Sequence, residues 1–279
     1  MPRMDAMLVF DRTAVRRHRD RAASRVDRVA EVLRDAAERL LDRLDDTTPR
    51  FADALDAGGR GVVAPLLRAR GMTVVSCDLS AAMAKRSGGP CVAADEEFLP
   101  FAPASFDLVV ASLSLHWVND LPGALIQLRH ALRPGGLLLA SLPALGTLDE
   151  LRRALTETEA ALTGGAAPRV SPFPDLRDCA GLLQRAGYAM PVADVELIRL
   201  RYADPLALLA DLRAAGETNA VRLRDRRPPP RELFPLALAQ LPEADGRVTA
   251  TLRMAVMTGW APETSSGRGS SGPAGGNRQ

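Results

Sequence analysis

The chain has 279 residues, a formal net charge of +2 and an isoelectric point near 8.6. This length suffices for a large hydrophobic core, and so small a charge gives no reason to expect nucleic-acid binding. The three cysteines lack metal-type spacing, no apolar run reaches the roughly 18 residues of a membrane span, and the N-terminus lacks the apolar block of a secretory signal. We therefore expect a cytoplasmic protein with no membrane span and no nucleic-acid partner.

The N-terminal segment predicts a helix over residues 11–45. Apolar side chains recur there every three or four positions and line one face: Val26, Val29, Leu33, Ala37, Leu40 and Leu44. Residues 11–28 also carry seven arginines and three aspartates. Such a charge run is typical of a solvated helix face, but it also suits an arm that covers a site or meets an acidic partner. We predict that residues 1–48 form a helical arm or lid.

The following part of the chain alternates short apolar runs with helical patterns. Continuously apolar strands separated by helices are typical of a parallel sheet that is buried on both faces. The predicted strands are residues 51–57, 72–77, 91–94, 106–115 and 137–142, and the predicted helices between them are residues 62–69, 80–85 and 121–132.

The last part of the chain adds helices and two longer strands. Alternating apolar residues predict strands at 192–202 and 246–261, which gives seven strands in one α/β domain over residues 49–262. Helical insertions are predicted at about 148–187 and 205–240. Residues 263–279 contain no apolar residue larger than alanine and are predicted to form a disordered tail.

Acidic strand ends and a glycine turn indicate a ligand site. The first strand ends in an acid and enters the glycine turn, and the second and third strands also end in acids. The carboxyl ends of parallel strands meet at one edge of the sheet, where ligands bind. An acid on the second strand suits the hydroxyls of a ribose, and one on the third suits an adenine amino group. The candidate cofactor-binding residues are Asp56, Gly58, Gly59, Gly61, Asp78, Asp95 and Glu96.

The acid before the glycine turn discriminates between adenosine-bearing ligands. A dinucleotide site favours the spacing G-x-G-x-x-G and a pyrophosphate at the helix N-terminus, whereas this chain reads Asp56-Ala57-Gly58-Gly59-Arg60-Gly61. A carboxylate repels a phosphate but attracts an amino group or a sulfonium. The turn therefore favours S-adenosylmethionine over a nicotinamide cofactor, and a nicotinamide-dependent oxidoreductase is the weaker alternative. A glycine turn that binds nothing is the structural alternative.

The end of the fourth strand predicts a substrate site at His116, Trp117 and Asn119. His116 is the candidate catalytic residue, as a positioning group first and a base second. Trp117 suits a pocket wall but also plain packing, and Asn119 suits the N-cap of the next helix equally well. An iron centre would need two histidines and a carboxylate, which His18, His116 and His130 barely supply, so we expect no metal.

The strings "ALDAGGRG", "VVSCDLS", "AADEEFLPFAPASFDLVVASLSLHWVND" and "ALRPGGLLLASL" resemble the class I S-adenosylmethionine-dependent methyltransferase family. The resemblance implies a Rossmann-like, seven-stranded, mostly parallel sheet and S-adenosyl-L-methionine as cofactor. It adds Leu79 and Ser112 as cofactor-binding positions. The family's first strand is usually followed by an acid, one residue and then G-x-G-x-G, and this chain is one residue short of that pattern.

A narrower resemblance covers almost the whole chain. "VFDRTAVRRHRDRAA", "SLSLHWVNDLPGAL", "PRVSPFPDLRD", "RYADPLALLADLRAAGETNA" and "MTGWAP" are similar to bacterial relatives of mitochondrial complex I assembly factor 5 and to the malonyl-carrier-protein methyltransferases of biotin synthesis. This implies a protein or acyl-carrier substrate. The implied activities are methyl transfer, or arginine hydroxylation of a complex I subunit. The alternatives are a non-catalytic complex I assembly factor and a malonyl-carrier-protein O-methyltransferase.

Overall fold

The structure is a computed structural model that describes residues 8–263. The predicted disordered tail lies outside the described residues except for its first residue, Glu263. Among the described residues, no helix is both long enough and apolar enough to cross a membrane.

One sheet organises the chain, and all seven predicted strands are present in it. The path of hydrogen-bonded strands is β3-β2-β1-β4-β5-β8-β6, and a further two-residue strand, β7, pairs with β8. Pairing is parallel from β3 to β5 and antiparallel where β8 lies between β5 and β6. The strands are β1 (Asp53–Ala57), β2 (Thr73–Asp78), β3 (Cys91–Ala93), β4 (Phe106–Ser112), β5 (Leu132–Pro143), β6 (Ala189–Tyr202), β7 (Glu243–Ala244) and β8 (Arg247–Trp260).

Helices cover both faces of this sheet. Side chains of an extended strand alternate between faces, so Leu137 and Leu139 of β5 join one core while Leu138 and Ala140 join the other. The helices are α1 (Arg12–Ala22), α2 (Ala30–Leu41), α3 (Val63–Ala69), α4 (Ala81–Ala84), α5 (Leu121–Ala131), α6 (Asp149–Thr163), α7 (Leu176–Arg185), α8 (Pro205–Ala215) and α9 (Leu233–Leu238). Helices α2 and α3 cover the first face, and α5 and α7 cover the second.

The predicted continuous helix over residues 11–45 is wrong. The segment forms α1 and α2, separated by a turn at residues 23–25 and a 3-10 turn at Val26–Val29. The break separates two environments: α2 packs on the sheet with apolar residues, whereas α1 crosses the carboxyl ends of the strands with its arginines. The apolar spacing alone did not reveal this change of direction.

The predicted helical insertion at 148–187 contains two helices with different surroundings. Helix α6 packs with α9 and the N-terminal part of β8 in a separate apolar cluster. Helix α7 instead covers the sheet beside α5, because Cys179, Leu182 and Leu183 belong to the sheet core. Helix α7 itself therefore lies away from the cavity, whereas α6 and the connection between the two helices contribute to its walls.

Replacement of Leu40 by alanine tests the packing of α2 on the sheet. Leu40 is fully buried, so Leu40→Ala should lower the free energy of unfolding by about 2–5 kcal/mol through lost apolar contacts and a cavity. Urea denaturation measures this. Arg34→Ala on the exposed face of the same helix is the control and should change stability by less than about 0.5 kcal/mol. Similar losses in both variants would contradict the packing.

Candidate functional site

The glycine turn after β1 forms the floor of the site. Gly58 and Gly61 have positive backbone φ angles of 77° and 81°, which residues with a Cβ rarely adopt. A Cβ added at Gly58 would lie 2.6 Å from the Cβ of Ser114, which follows β4. A Cβ at Gly61 would lie 2.7 Å from the carbonyl oxygen of Arg86. The glycines thus allow the turn to approach two neighbouring segments closely, even though the turn is one residue shorter than the family pattern.

Asp56 lies buried beneath this turn. The hydroxyl of Ser76 donates to its Oδ2 at 3.2 Å, whereas Oδ1 has no hydrogen-bond partner among residues 8–263. A Cβ added at Gly59 would lie only 2.1 Å from Oδ1, so the turn closes directly over the carboxylate. Burial raises the pKa of Asp56 to about 7, although the Ser76 hydroxyl opposes the shift.

The acids on the second and third strand ends meet at one guanidinium. Arg19 of α1 donates through Nη1 to Asp78 Oδ2 at 2.9 Å and to Glu96 Oε1 at 3.3 Å. Its Nη2 donates to the carbonyl oxygen of Ser114 at 3.3 Å, and its Nη1 lies 3.3 Å from the position of a Cβ on Gly58. Arg19 is only 1% exposed. The predicted cofactor acids and the glycine turn are therefore brought together around a buried cation that the chain itself supplies.

A second arginine of α1 holds the rest of the acidic cluster. Arg12 forms ion pairs with Asp95 and Glu96, and its Nη1 donates to the carbonyl oxygen of Trp117 at 3.2 Å.

Burial alone would lower the pKa of Arg19, but Asp78 and Glu96 outweigh it and raise the pKa, so Arg19 stays charged. Of the two interpretations of the arginine-rich segment, a solvated face suits only its exposed members, such as Arg16; Arg12 and Arg19 cover the acidic site.

Other predicted site residues contact the N-terminal segment. Leu79 packs against an apolar cluster of Phe10, Ala14, Val15, Trp117, Ala220 and Val221. Asn119 accepts from the backbone N–H of Phe10 at 2.8 Å and donates to its carbonyl oxygen at 3.2 Å. Asn119 is neither part of the cavity wall nor the helix N-cap, since Asp120 caps α5. Ser112 is buried at the end of β4, opposite Ser141 of β5.

Glu217 connects the remaining polar residues of the site. Its Oε2 accepts from Trp117 Nε1 at 2.7 Å and lies 2.7 Å from His116 Nε2, and its Oε1 is ion-paired with Arg60. Burial would raise the pKa of Glu217, but His116 and Arg60 outweigh it and lower the pKa. Burial lowers the pKa of His116 despite this carboxylate. Glu217 therefore stays ionised, and its carboxylate orients the ring of His116.

Sequence reasoning missed Glu217 and Arg60. Glu217 follows Gly216, which ends α8 with a φ of 79°, and lies 101 positions from His116. Nothing in its local pattern distinguishes it from an exposed acid. Its only signal was membership in the "RYADPLALLADLRAAGETNA" string that carries the narrower resemblance.

A cavity of about 310 Å³ adjoins the glycine turn. Arg60, Leu113, His116, Trp117 and Glu217 line it where it meets the site. Its other walls come from residues 29–33, residues 143–155, residues 169–173, the end of β6, and the segments around α8, α9 and β8. Within residues 8–263, no three His, Cys, Asp or Glu side chains are grouped so that they could hold a metal ion.

Four of the eight buried side-chain polar atoms that lack a hydrogen-bond partner within residues 8–263 lie at this site. Among the described residues, Asp56 Oδ1, Arg60 Nε, Ser114 Oγ and His116 Nδ1 are buried and make no hydrogen bond. Buried polar groups of native proteins are nearly always paired, and exceptions indicate a functional role or an unseen ligand. The four atoms all lie around the glycine turn and the end of β4, so the site fits a polar ligand group.

The strand order and the position of the glycine turn indicate the class of protein to which the chain belongs. The order reverses between β1 and β4, and in such open α/β sheets ligands bind at the carboxyl edge beside the reversal. The sequence model described as a methyltransferase domain matches residues 55–140. Together with the relatives below, this shows that the chain belongs to the S-adenosylmethionine-dependent methyltransferase family, with S-adenosylmethionine as its cofactor.

Two groups of relatives resemble the chain over nearly its whole length. It is 36% identical over 271 residues to the mitochondrial arginine-hydroxylase NDUFAF5 of Danio rerio, covering 93% of this chain and 84% of that protein. It is 34% identical over 278 residues to the malonyl-[acyl-carrier protein] O-methyltransferase of Methylovorus sp., covering 93% and 92%. The YcgJ protein of Bacillus subtilis shares the fold, with a TM-score of 0.56 at 13% identity, covering 81% of this chain and 99% of that one.

These comparisons confirm the predicted family, fold class and cofactor. The roles assigned to individual residues, including His116 as a catalytic group, stay predictions.

The raised pKa of Asp56 predicts how stability depends on pH. Asp56 binds a proton more tightly in the folded protein, near pH 7, than in the unfolded chain, near pH 4. The folded state therefore loses stability as pH rises from about 4 to 7. Asp56→Asn has no ionisable group at this position and should not show this loss. The free energy of unfolding of the variant, relative to that of the unchanged protein, should therefore be about 2–4 kcal/mol higher at pH 8 than at pH 4. Urea denaturation across this range measures it.

Asp53→Asn at the half-exposed start of the same strand is the matched control. It removes a carboxylate from the same strand and should not reproduce the gain at pH 8, because the side chain of Asp53 keeps contact with solvent. Parallel profiles for Asp56→Asn and the unchanged protein would show that Asp56 ionises normally.

Proposed function

We propose that this chain transfers a methyl group from S-adenosylmethionine to an acceptor held at the end of β4, beside His116. The proposal rests on one feature: two strand-end carboxylates and the glycine turn enclose a buried cation, the guanidinium of Arg19. The carboxylates that hold this cation are hydrogen-bond acceptors, which suits the ribose hydroxyls and the adenine amino group of this cofactor. The same site would repel the pyrophosphate of a nicotinamide dinucleotide.

The residues around this cation fit the parts of the cofactor by chemistry. Asp78 would accept hydrogen bonds from the ribose hydroxyls, and Asp95 with Glu96 would meet the adenine. The turn from Gly58 to Gly61, with the unpartnered Ser114 hydroxyl beside it, would hold the methionine end. When bound, the cofactor supplies an electrophilic methyl group. The protein's part is to align the acceptor with it and to exclude water.

Cofactor binding requires that Arg19 leaves its position. Its guanidinium uses the Asp78 oxygen that a ribose would need, and it lies against the turn at Gly58. Helix α1 therefore competes with the cofactor for the same carboxylates. While Arg19 occupies this position, the cofactor cannot bind. The apparent affinity for S-adenosylmethionine is therefore the intrinsic affinity multiplied by the fraction of molecules in which α1 has moved away.

Removal of Arg19 should strengthen cofactor binding. Arg19→Ala should lower the dissociation constant for S-adenosylmethionine at least about tenfold, because the cofactor no longer has to break two buried ion pairs. Calorimetric titration measures it. The matched control is Arg16→Ala, which changes an exposed arginine of the same helix and should leave the affinity unchanged. Arg19→Gln keeps donors for the carboxylates and serves if the alanine variant fails to fold. Unchanged or weaker binding in both Arg19 variants would contradict the competition.

Asp78→Ala tests the ribose contact. In the unchanged protein this substitution would strand the charge of Arg19, so the comparison is made between Arg19→Ala and Arg19→Ala/Asp78→Ala. Loss of a charge-assisted hydrogen bond should weaken binding of S-adenosylmethionine by about 1.5–3 kcal/mol, or roughly 10- to 150-fold. Equal affinity in the two variants would mean that the cofactor does not contact Asp78. Tight binding of NAD would favour the oxidoreductase alternative.

A second candidate function is a non-catalytic assembly role. The closed arm satisfies the buried acids without any cofactor, which suits a protein that keeps the fold but only binds a partner. Calorimetry separates the two candidates. Heat of binding with S-adenosylmethionine supports the enzyme, whereas no heat with folded Arg19→Ala protein supports the binding role.

The narrower sequence resemblance implies two candidate partners, a complex I subunit and an acyl carrier protein, and the name of the Methylovorus relative includes the second. A disruption strain distinguishes them. A defect in complex I assembly supports the first partner, whether the acceptor is methylated, hydroxylated or only bound, and a biotin requirement supports malonyl-carrier-protein methylation. The cytoplasmic location stays a prediction.

A further inference from the structure

The loop after α8 presents an apolar side chain at the tip of a turn. The backbone N–H of Arg224 donates to the carbonyl oxygen of Val221 at 3.2 Å, which closes the turn, and Leu223 takes its third position. Leu223 is 86% exposed, a larger fraction than that of any other large hydrophobic residue within residues 8–263. Its side chain therefore projects into solvent instead of packing on the protein.

The N-terminal segment places two more apolar side chains beside this turn. The backbone N–H of Arg222 donates to the carbonyl oxygen of Val9 at 2.8 Å, next to the antiparallel bridge that joins this segment to the loop. Leu8 and Leu223 each lie one residue beyond that hydrogen bond. Val9 is 43% exposed and Leu8 is 39% exposed. We call Leu8, Val9 and Leu223 the apolar patch. Exposed apolar groups that a polar rim surrounds indicate an interaction surface.

The rim of the apolar patch is rich in arginine. Residues 222–232 contain five arginines and only two acids. The side chains of Arg226 and Arg227 are 74% and 87% exposed, and Arg231 is exposed as well. Asp225 pairs with Arg227 at 3.0 Å, which leaves the loop with an excess of positive charge.

Helix α1 extends this positive surface. Asp11, its N-cap, lies 3.1 Å from Arg224 and 3.9 Å from Arg226, so one carboxylate faces two guanidinium groups. Burial and the charges of Arg21 and Arg224 lower the pKa of His18, which indicates that Arg21 of α1 lies near the same loop. An anion is therefore the partner whose charge complements this surface.

A projecting leucine among arginines suits a bilayer better than a folded protein. A folded partner would need a pocket that matches Leu223 and contacts of about 800 Å² on each side, whereas the apolar patch offers three side chains. A bilayer needs no matching pocket. Apolar side chains enter the boundary of its acyl chains, and guanidinium groups bind its phosphates. Three prolines at 228–230 restrict the backbone beside the turn, so insertion orders little additional chain.

We propose that the apolar patch and its arginines dock this protein on the surface of an anionic phospholipid bilayer. Leu223 enters the headgroup boundary, and the guanidinium groups of Arg226 and Arg227 bind lipid phosphates. Docking of this kind needs no membrane-spanning helix and does not depend on the cofactor or on the acceptor. It brings α1 and the loop after α8, which both contact the site, to the membrane surface.

Vesicle sedimentation tests the docking with the unchanged protein. Vesicles of equal parts phosphatidylcholine and phosphatidylglycerol should bind the protein saturably, and vesicles of phosphatidylcholine alone should bind it at least about tenfold more weakly. Affinity for the mixed vesicles should fall as salt rises from about 100 to about 500 mM, because salt screens the charges. No binding to the mixed vesicles, or equal binding to both kinds, would overturn the proposal.

The variant Arg226→Gln/Arg227→Gln tests the charged contacts. An arginine near an anionic surface contributes about 1 kcal/mol, or about fivefold in affinity, so the double variant should bind the mixed vesicles about 25-fold more weakly. The matched control is Arg70→Gln/Arg185→Gln. These two exposed arginines precede β2 and β6 at the amino edge of the sheet, away from α1, and their loss should change affinity less than about twofold. Equal losses in the two variants would overturn the assignment to this surface.

Leu223→Gln tests the apolar contact without a change of charge. The glutamine side chain gains little from entering the bilayer, so affinity for the mixed vesicles should fall at least about fivefold. Because Leu223 is exposed, the substitution leaves the core untouched, and an unfolding curve like that of the unchanged protein checks this. Unchanged vesicle binding would show that Leu223 does not insert and would overturn the proposal.

A tryptophan at the turn reports insertion directly. The fluorescence of Leu223→Trp should shift to shorter wavelength when mixed vesicles are added, because the indole ring leaves water. Met190→Trp is the control: Met190 is 68% exposed at the start of β6, at the amino edge of the sheet, and this variant should show no shift. The same shift in both variants, or none in Leu223→Trp, would contradict the insertion.

An acidic protein surface is the alternative partner, and calorimetric titration with acyl carrier protein tests it. Binding of acyl carrier protein that Arg226→Gln/Arg227→Gln weakens, together with no binding to vesicles, would assign this surface to a protein and overturn the proposal. Vesicle binding that the same variant weakens supports the bilayer. Both results are separable from the proposed function, which is tested by binding of S-adenosylmethionine at the strand ends.

Discussion

Buried negative charge at the strand ends governs the architecture around the site. Asp78 and Glu96 lie almost completely within the protein, where an unpaired carboxylate would cost several kcal/mol. Arg19 compensates both through one guanidinium, and Arg12 joins Glu96 to Asp95. This requirement explains why α1 leaves the direction of α2 at residues 23–25. A straight helix packed on the sheet face would carry its arginines away from the acids. The acids that make the site suitable for a cationic cofactor thus also require a cation when the cofactor is not there.

The sequence predicted the sheet well because the signals for it are local. Continuous apolar runs such as residues 108–111 indicate a strand that is buried on both faces, and the acids at the ends of β1 and β2 follow from where such runs stop. The glycine turn was located for the same reason. The positive φ at Gly58 belongs to the local turn, so a short string of sequence carries it, whereas the close approach of Gly58 to Ser114 depends on tertiary structure.

The partners of those acids could not be predicted, because they depend on tertiary structure. Arg19 lies 59 positions before Asp78, and it belongs to a run in which several arginines are exposed. No periodicity distinguishes the one that is buried. Glu217 reaches His116 only because α8 ends at Gly216 and the following loop returns to β4. The cavity shows the same limit: its walls come from separate segments that each look like an ordinary amphipathic element, and only the fold encloses a space between them.

The backbone connection between the N-terminal segment and the loop after α8 links the two halves of the site mechanically. Phe10 and Val221 form an antiparallel bridge, and the backbone N–H of Asp11 donates to the carbonyl oxygen of Ala220 at 2.8 Å. The Nδ1 atom of His18 contacts the carbonyl oxygen of Thr218. The same loop carries Glu217. In the proposed function, movement of α1 away from Asp78 would pull on this loop and on the carboxylate of Glu217, so the two proposed ligand sites would not be energetically independent. By thermodynamic linkage, the factor by which the cofactor changes the affinity for the acceptor equals the factor by which the acceptor changes the affinity for the cofactor. The loop after α8 would carry this coupling.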